Sequence, residues 1–164
     1  MANPEAAKVN SVRPAALFNY AMLTYFDSEW VLKEMNLLRT RGMPESEVRQ
    51  RAMALQPVFR LRGTIHSVFD GRYRFSRYFS PLQFNTPTSL ESLFAQNDVE
   101  LYDLAADPQE MRNLATERSK NGDLILAMND QLNRLMVSEV GEGDGPAMMQ
   151  IRDGKVVPHF GSHG

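Results

Sequence analysis

The sequence predicts an α+β fold, with a small antiparallel sheet packed against a long C-terminal helix and preceded by two helices. Three observations predict it. Residues 59–79 are rich in aromatic and β-branched side chains around Asp70-Gly71, a dipeptide typical of tight hairpin turns. Residues 123–140 carry apolar side chains at helical spacing. Residues 27–57 divide into two shorter segments with apolar stripes. Short antiparallel strands followed by a long amphipathic helix are typical of an α+β unit.

A two-residue turn at Asp70-Gly71 would set the register of the hairpin. The predicted pairs are Phe69 with Arg72, Val68 with Tyr73, Ser67 with Arg74, and His66 with Phe75. Side chains alternate between the two faces of a strand. The predicted core face therefore carries His66, Val68, Tyr73 and Phe75, and the other face Ser67, Phe69, Arg72, Arg74 and Ser76.

The two helices before the hairpin have local start and stop signals. Asp27 or Ser28 can cap the first helix, and Gly42 supplies the left-handed residue that commonly follows a helix. Pro44 is suited to the first position of the second helix. The apolar run 15–25, which precedes both helices, is compatible with either a strand or a helix.

Beyond the hairpin we predict a short helix at 90–96 and a strand at 99–104. Asp107 and Glu110 form a capping-box pattern, which predicts a brief helix ending near Asn113. The last helix, 123–140, has an apolar stripe of Ile125, Met128, Leu132, Leu135 and Met136. Its opposite, polar face carries Asn129, Asp130, Asn133 and Arg134.

The chain length of 164 residues allows one domain, which we place at 14–140. Residues 1–13 are polar and unpatterned and are predicted to form a flexible arm. Residues 141–164 form a Gly-rich tail, with either a small hairpin at Asp153-Gly154 or disorder.

Composition excludes several classes of function. A formal net charge of −2 predicts no nucleic-acid or anionic-membrane partner. The absence of cysteine excludes disulfides, thiolate nucleophiles and Cys-ligated metals. No apolar run is long enough to span a bilayer. Lys8 and Arg13 precede residues 14–26, but no A-x-A-like cleavage site follows them, so a signal peptide is not predicted. The sequence does not specify a compartment.

Motifs for hydrolysis are missing as well. The sequence has no G-x-S-x-G, no H-E-x-x-H and no Gly-rich phosphate loop, so we predict no catalytic residue and no metal ligand. His66 is the candidate substrate-binding residue, and the alternative is a hydrogen-bonded core histidine. His159 and His163 are interpreted as solvated terminal side chains.

Two charged clusters have competing interpretations. The arginines at 60, 62, 72, 74 and 77 could bind sulfate or phosphate, or could form a solvated sheet face or a docking surface for carboxylates. The acidic residues Asp98, Glu100, Asp103 and Asp107 could hold a hard cation, but strand-end and capping roles are favoured because no calcium-loop glycine is present.

Two segments carry a family resemblance. The first is 69–79, FDGRYRFSRYF, and the second is 100–115, ELYDLAADPQEMRNLA. The first resembles the late strand of sulfatases, where a turn precedes a basic-aromatic pattern. The second is similar to the near-terminal sulfatase signature E-L-Y-D-L-x-x-D-P-x-E-x-x-N-L. The resemblance extends from about Ala16 to Val140 and is to the C-terminal region of the arylsulfatase-like, alkaline-phosphatase superfamily.

The resemblance implies sulfuric ester hydrolysis by a whole enzyme, in which this unit packs on a large N-terminal catalytic α/β domain and contributes to the rim of the substrate cleft. The family uses calcium and a formylglycine made from a C/S-x-P-x-R motif. This sequence has no Cys and no S-x-P-x-R, so no catalytic or calcium-binding position is carried over. The implied partner is that N-terminal sulfatase domain. The resemblance is also compatible with an oligomer.

Two other functions remain open at this point. The chain could be the C-terminal part of a phosphonate or phosphodiester hydrolase of the same superfamily. It could instead be a stand-alone, non-catalytic interaction module that docks through the apolar face of residues 15–38. As to origin, a fragment of a longer enzyme, a split or truncated gene and an independent descendant are all compatible with the sequence.

Overall fold

The computed structural model describes residues 13–21, 28–54, 60–83, 86–141, 149–152 and 155–158. The strands are β1 (Ala16–Ala21), β2 (Thr64–Phe69), β3 (Tyr73–Phe79), β4 (Asp98–Asp103), β5 (Met149–Arg152) and β6 (Lys155–Pro158). The helices are α1 (Ser28–Thr40), α2 (Glu45–Ala54), α3 (Leu90–Gln96) and α4 (Arg118–Leu135). The α+β class is confirmed: four antiparallel strands in the order β1-β2-β3-β4 form the main sheet, and β5 and β6 form a separate pair.

The apolar run near the start of the chain forms strand β1, which settles the choice between strand and helix. β1 pairs antiparallel with β2, and Leu17 lies opposite Val68. Helices α1 and α2 therefore lie, in chain order, between two neighbouring strands. Pairing with β2 decides the conformation of this segment, because the periodicity of a short apolar run favours neither a strand nor a helix.

The predicted register of the β2–β3 hairpin is wrong by two residues. Val68 lies opposite Phe75, and residues 70–72 connect the two strands. The carboxylate of Asp70 accepts hydrogen bonds from the backbone N–H groups of Arg72 (2.8 Å) and Tyr73 (2.7 Å), which opens the turn beyond two residues. Gly71 still adopts a positive φ of 101°.

A two-residue shift leaves the side chains on their predicted faces, since alternation has a period of two. His66, Val68 and Phe75 are buried on the core face, as predicted. Ser67 and Ser76 are also buried, although they lie on the other face, and their hydroxyl oxygens are 2.8 Å apart.

Helices α1 and α2 pack against each other and bury Leu38 and Val48. Gly42 follows α1 with φ of 75°, and its N–H donates to the carbonyl of Arg39 (2.9 Å), so the predicted helix stop is confirmed. Helix α2 begins at Glu45, directly after Pro44.

Helix α4 begins at Arg118 rather than near Asp123 and is followed by a π-helical turn, Met136–Val140. It packs on β2, β3 and α3. The core between α4 and the rest of the domain, to which the helix itself contributes, consists of Ala15, Val68, Phe75, Leu93, Val99, Leu101, Ala115, Ile125, Met128, Leu132 and Leu135. The predicted stripe is thus confirmed at Ile125 and Leu132, but the predicted polar face is wrong at Asn129, which is 0% exposed.

The brief helix predicted between Asp107 and Asn113 is also wrong, because the chain forms turns there. Glu110 has φ of 58°, which interrupts a right-handed helix. Its carboxylate pairs with Arg74 instead of reaching back to the cap N–H. Asp107 stabilises this turn instead, since its carboxylate accepts from the N–H of Arg112 (2.8 Å).

Near the end of the chain β5 and β6 pair with Arg152 opposite Lys155, in agreement with the hairpin predicted at Asp153-Gly154. Residues 153 and 154 themselves, most of the predicted arm, and the rest of the tail after Gly141 lie outside the described residues, as do His159 and His163. No helix among the described residues is long and apolar enough to cross a bilayer.

Candidate functional site

The main sheet has two faces with different surroundings. The covered face, on which α4 packs, carries Leu17, Asn19, Thr64, His66, Val68, Tyr73, Phe75, Arg77, Phe79, Val99 and Leu101. The outer face carries Ala16, Phe18, Tyr20, Ile65, Ser67, Phe69, Arg74, Ser76, Tyr78, Glu100 and Tyr102. The candidate residues divide between these faces, so the structure does not gather them into one site.

A buried polar network lies between the covered face and α4. The guanidinium of Arg77, which is 0% exposed, donates from one nitrogen to the side-chain oxygens of Asn129 (2.6 Å) and Asn133 (2.8 Å). Both asparagines donate in turn to the carbonyl oxygen of Pro87, at 2.7 and 3.0 Å. The network therefore joins strand β3, helix α4 and the loop before α3.

Burial lowers the pKa of Arg77 to about 9. A desolvated guanidinium is costly unless neighbouring dipoles compensate it. The two amide oxygens supply that compensation, which explains why Asn129 is buried rather than solvated. The sequence feature that could have indicated this network is the four-residue spacing of Asn129 and Asn133, which places both on one side of a helix.

His66 lies beside this network on the covered face. It is 8% exposed, it lies opposite Arg77 in the ladder, and its ring meets Phe79 edge-on at 4.6 Å between centroids. Among the residues that the structure describes, none forms a hydrogen bond with its Nδ1 atom or with the buried hydroxyl of Thr64. Burial, with a smaller contribution from Arg77, lowers the pKa of His66 to about 3.

The imidazole of His66 is therefore neutral across the physiological range and could only donate or accept a hydrogen bond. Its surroundings are those of a core histidine, although the hydrogen bond expected for such a residue is missing at Nδ1. A substrate-binding role for His66 stays a prediction.

The arginine cluster does not form a single anion site. Arg74 lies on the outer face and Arg77 on the covered face. Ion pairs join Arg62 to Asp98 (2.5 Å), Arg72 to Asp103 (2.7 Å), and Arg74 to Glu110. Arg74 also lies over the ring of Tyr102, 5.5 Å from its centroid. Each of these guanidinium groups serves a contact within the chain.

The acidic residues are separated in the same way. Asp98 and Asp103 hold the arginines just described, and the hydrogen bond from Arg72 lowers the pKa of Asp103. Glu100 accepts from the hydroxyl of Tyr78 (2.9 Å), and burial together with that contact raises the pKa of Tyr78 to about 12. Asp98 and Asp103 are the two end residues of β4, as predicted, whereas Glu100 lies within the strand.

Calcium and formylglycine, which the family resemblance implies for a catalytic domain, do not fit the residues present. Among the described residues no group of three or more His, Asp or Glu side chains could hold a metal ion. The buried amide of Asn97 donates to the carbonyl of Leu93 (2.8 Å), while the neighbouring Asp98 is exposed and pairs with Arg62.

A recess of about 250 Å³ lies near the start of α4. It is lined by Arg62, Phe94, Asn97, Asp98, Val99, Ala115, Thr116 and Arg118. Arg118 lies over the ring of Phe94, 3.7 Å from its centroid, and Arg62 pairs with Asp98. The sequence offered no motif for this recess, because its walls come from four separate segments.

The signature segment closes one edge of the sheet. The side-chain oxygen of Asn113 accepts from the N–H groups of Leu101 (3.0 Å) and Ala115 (2.9 Å). Its amide nitrogen donates to the carbonyl of Val99 (3.1 Å). Asn113 thus bonds to the backbone of β4 where a fifth strand would otherwise pair, and it caps the 3₁₀ turn Leu114–Thr116.

The chain was compared with protein families, curated proteins and solved structures, and the similarity found is structural. No protein-family model matches the chain, and no curated protein matches it. Among solved structures, the chain is similar to the phosphonate monoester hydrolase of Agrobacterium radiobacter, with a TM-score of 0.41 and 15% sequence identity. The alignment covers 94% of this chain and 23% of that one, so the chain spans about a quarter of the length of this structure.

Proposed function

We propose that this chain is the C-terminal portion of a sulfatase-type sulfuric ester hydrolase, with a structural role and a place at the rim of the substrate cleft. On this proposal it is not catalytic by itself. The observation that carries the proposal is the ordered signature of residues 100–115, ELYDLAADPQEMRNLA.

The contacts of that segment support a structural role. Asn113 seals the edge of β4 with three hydrogen bonds. Asp103 holds Arg72, and Glu110 holds Arg74, which lies over the ring of Tyr102. Each of these side chains contacts another part of the same unit, in a turn, at the sheet edge or in an ion pair. The signature therefore specifies how the sheet edge and the turns after β4 pack.

A second candidate function is a stand-alone interaction module. The observation that favours it is the exposure of large apolar side chains between residues 15 and 38, where Phe18 is 55% exposed and Leu32 is 56% exposed. Such groups are common at docking surfaces when they form a patch.

The coding sequence upstream of the Met1 codon distinguishes these candidates. We expect an in-frame or adjacent segment that encodes C/S-x-P-x-R, followed by the acidic and amide residues of a calcium site. An unrelated upstream sequence would contradict the sulfatase proposal and favour the interaction module.

A direct assay tests whether the chain is catalytic. The purified chain, with added calcium, is expected to leave both p-nitrophenyl sulfate and p-nitrophenyl phenylphosphonate unhydrolysed, because it has no nucleophile motif. Turnover that scales with the amount of chain and is lost in His66→Ala would show that the chain is an enzyme in its own right.

A further inference from the structure

The recess near the start of α4 combines an apolar base with charged walls. Val99 and Ala115, which belong to the hydrophobic core, are 9% and 2% exposed and form the base. Phe94 is partly buried and packs against the same core. The charged side chains of the lining are Arg62, Asp98 and Arg118. Small-molecule sites typically have this composition, with apolar walls and a few polar groups that fix the orientation of the ligand.

Arg118 is oriented at this recess by an aromatic ring. Its guanidinium carbon lies 3.7 Å from the centroid of the Phe94 ring. That separation leaves no room for an N–H group to point at the ring, so the guanidinium stacks through its face. The N–H groups lie in the plane of the guanidinium and are directed away from the ring. Arg118 can therefore donate two parallel hydrogen bonds to a carboxylate.

The charge of the lining favours an anion. The eight lining residues include two arginines and one aspartate, which gives a formal charge of +1. Arg62 and Asp98 pair with each other at 2.5 Å, so their charges balance locally. The remaining positive charge is that of Arg118, and a ligand with one negative charge complements it.

The carboxylate next to Arg118 in the sequence is used elsewhere. Glu117 pairs with Arg112 and lies 3.8 Å from the ammonium group of Lys120. It is not one of the eight residues that line the recess. The acidic neighbour therefore balances charges outside the recess.

We propose that this recess binds a small organic carboxylate. The carboxylate group accepts hydrogen bonds from Arg118, and the apolar body of the ligand lies against Val99 and Ala115. The recess of about 250 Å³ has room for one ring or a short alkyl chain, since a cavity of about 150 Å³ can hold benzene. Inorganic sulfate or phosphate would leave the apolar base in contact with water, so an anion with an apolar body is favoured. This inference does not depend on the proposed sulfatase origin, because it uses only the residues of the recess.

NMR titration of the isotope-labelled full chain tests the proposal, with benzoate as the probe. Benzamide is the matched control, because it has nearly the same shape and no charge. We expect benzoate to shift the backbone amide signals of residues 94–99 and 115–118, with a Kd on the order of 1 mM. Benzamide should bind about tenfold more weakly or less. Equal binding of the two compounds, or no shift at these amides with about 20 mM benzoate, would overturn the proposal.

Sodium sulfate at matched ionic strength tests whether the apolar body matters. It should shift the same amides only at concentrations about tenfold higher than benzoate does, because it makes no contact with the apolar base. Sulfate that binds as tightly as benzoate would overturn the assignment of an organic carboxylate.

Arg118→Gln tests the residue assigned to the carboxylate group. This variant should bind benzoate about tenfold more weakly or less, since the bidentate, charged pair is lost. The control is Arg134→Gln, which makes the same charge change at an exposed position near the other end of α4, about 24 Å along the helix. It should leave the Kd unchanged, and equal weakening by both variants would overturn the assignment. The comparison of benzoate with benzamide uses the unchanged chain, so it decides the question even if Arg118→Gln fails to fold.

Discussion

Phe75 and Phe18 belong to the same sheet, but they lie on opposite faces and in opposite surroundings. Phe75 is 0% exposed beneath α4, whereas Phe18 is 55% exposed on the outer face. Alternation along a strand decides which face a side chain takes, but the position of the helix decides which face is buried. The same residue type therefore has two different roles in one sheet.

The polar groups repeat this contrast. On the covered face Arg77 is compensated by the neutral amides of Asn129 and Asn133. On the outer face Arg74 pairs with a carboxylate, that of Glu110, in a partly exposed position. Deep burial makes each contact costly to break, while exposure to solvent makes the corresponding ion pair weak.

The largest expected effect is the loss of a buried ring. Phe75→Ala should lower the free energy of unfolding by about 3–5 kcal/mol, because it removes apolar contacts and leaves a cavity. Phe18→Ala, the matched change on the outer face, should cost less than about 1 kcal/mol. Urea denaturation of the two variants measures both, and equal losses would contradict the division of the sheet into a covered and an outer face.

Breaking the buried network should have the next largest effect. Asn129→Ala should cost about 2–4 kcal/mol, since it removes an acceptor from the buried guanidinium of Arg77 and a donor from the carbonyl of Pro87. The control is Arg72→Ala, which breaks an exposed ion pair and should cost about 1 kcal/mol or less. Thermal unfolding followed by circular dichroism compares them, and a neutral Asn129→Ala would show that the network does not stabilise the fold.

Asn113 tests how the edge of β4 is closed. Asn113→Ala should cost about 2 kcal/mol, because the N–H of Leu101 and the carbonyl of Val99 lose their partner. Hydrogen exchange at the Leu101 amide should become faster, while the amides of β1 should not change. Asn113→Asp keeps an acceptor for the N–H of Leu101. Its stability should therefore lie between that of the unchanged chain and that of Asn113→Ala. Unchanged exchange at Leu101 would contradict the role assigned to Asn113.

The last prediction concerns the pH dependence of stability, an effect that is spread over several pH units. The pKa of His66 is about 3 in the folded chain against an ordinary value of 6.5, so the unfolded chain binds more protons between these values. Stability should fall as the pH falls from 6.5 towards 3, with His66 contributing at most about 1.4 kcal/mol per pH unit. His66→Gln should flatten this part of the profile, and an unchanged slope would contradict the burial of a neutral imidazole.

Local signals predicted a large part of the fold. The short helix at 90–96 has the predicted bounds, supported by a capping box between Ser89 and Ser92. Gly42 ends α1 because a left-handed residue is needed there. The predicted core face of the hairpin was also correct, because a two-residue change of register leaves each side chain on the same face of the sheet. These features depend on residues within one or two turns of each other.

Other features required the assembled chain. The run at 16–21 is a strand because β2 lies beside it. Asn129 is buried because Arg77, 52 residues away in the sequence, needs an acceptor. Glu110 leaves the helical conformation as its carboxylate pairs with Arg74. The absence of a gathered catalytic site among the described candidates likewise depends on which face each arginine takes.

The amino-acid sequence alone therefore decided the caps, the turn residues, the alternation of strand side chains and the signature of residues 100–115. Those features arise from backbone sterics and short-range hydrogen bonds, which act over a few residues. The tertiary structure decided which sheet face α4 covers, which polar groups are buried, and how the edge of β4 is closed. Those features depend on desolvation and packing between segments that are distant in the sequence. A local sequence pattern does not indicate which distant segment will pack against it.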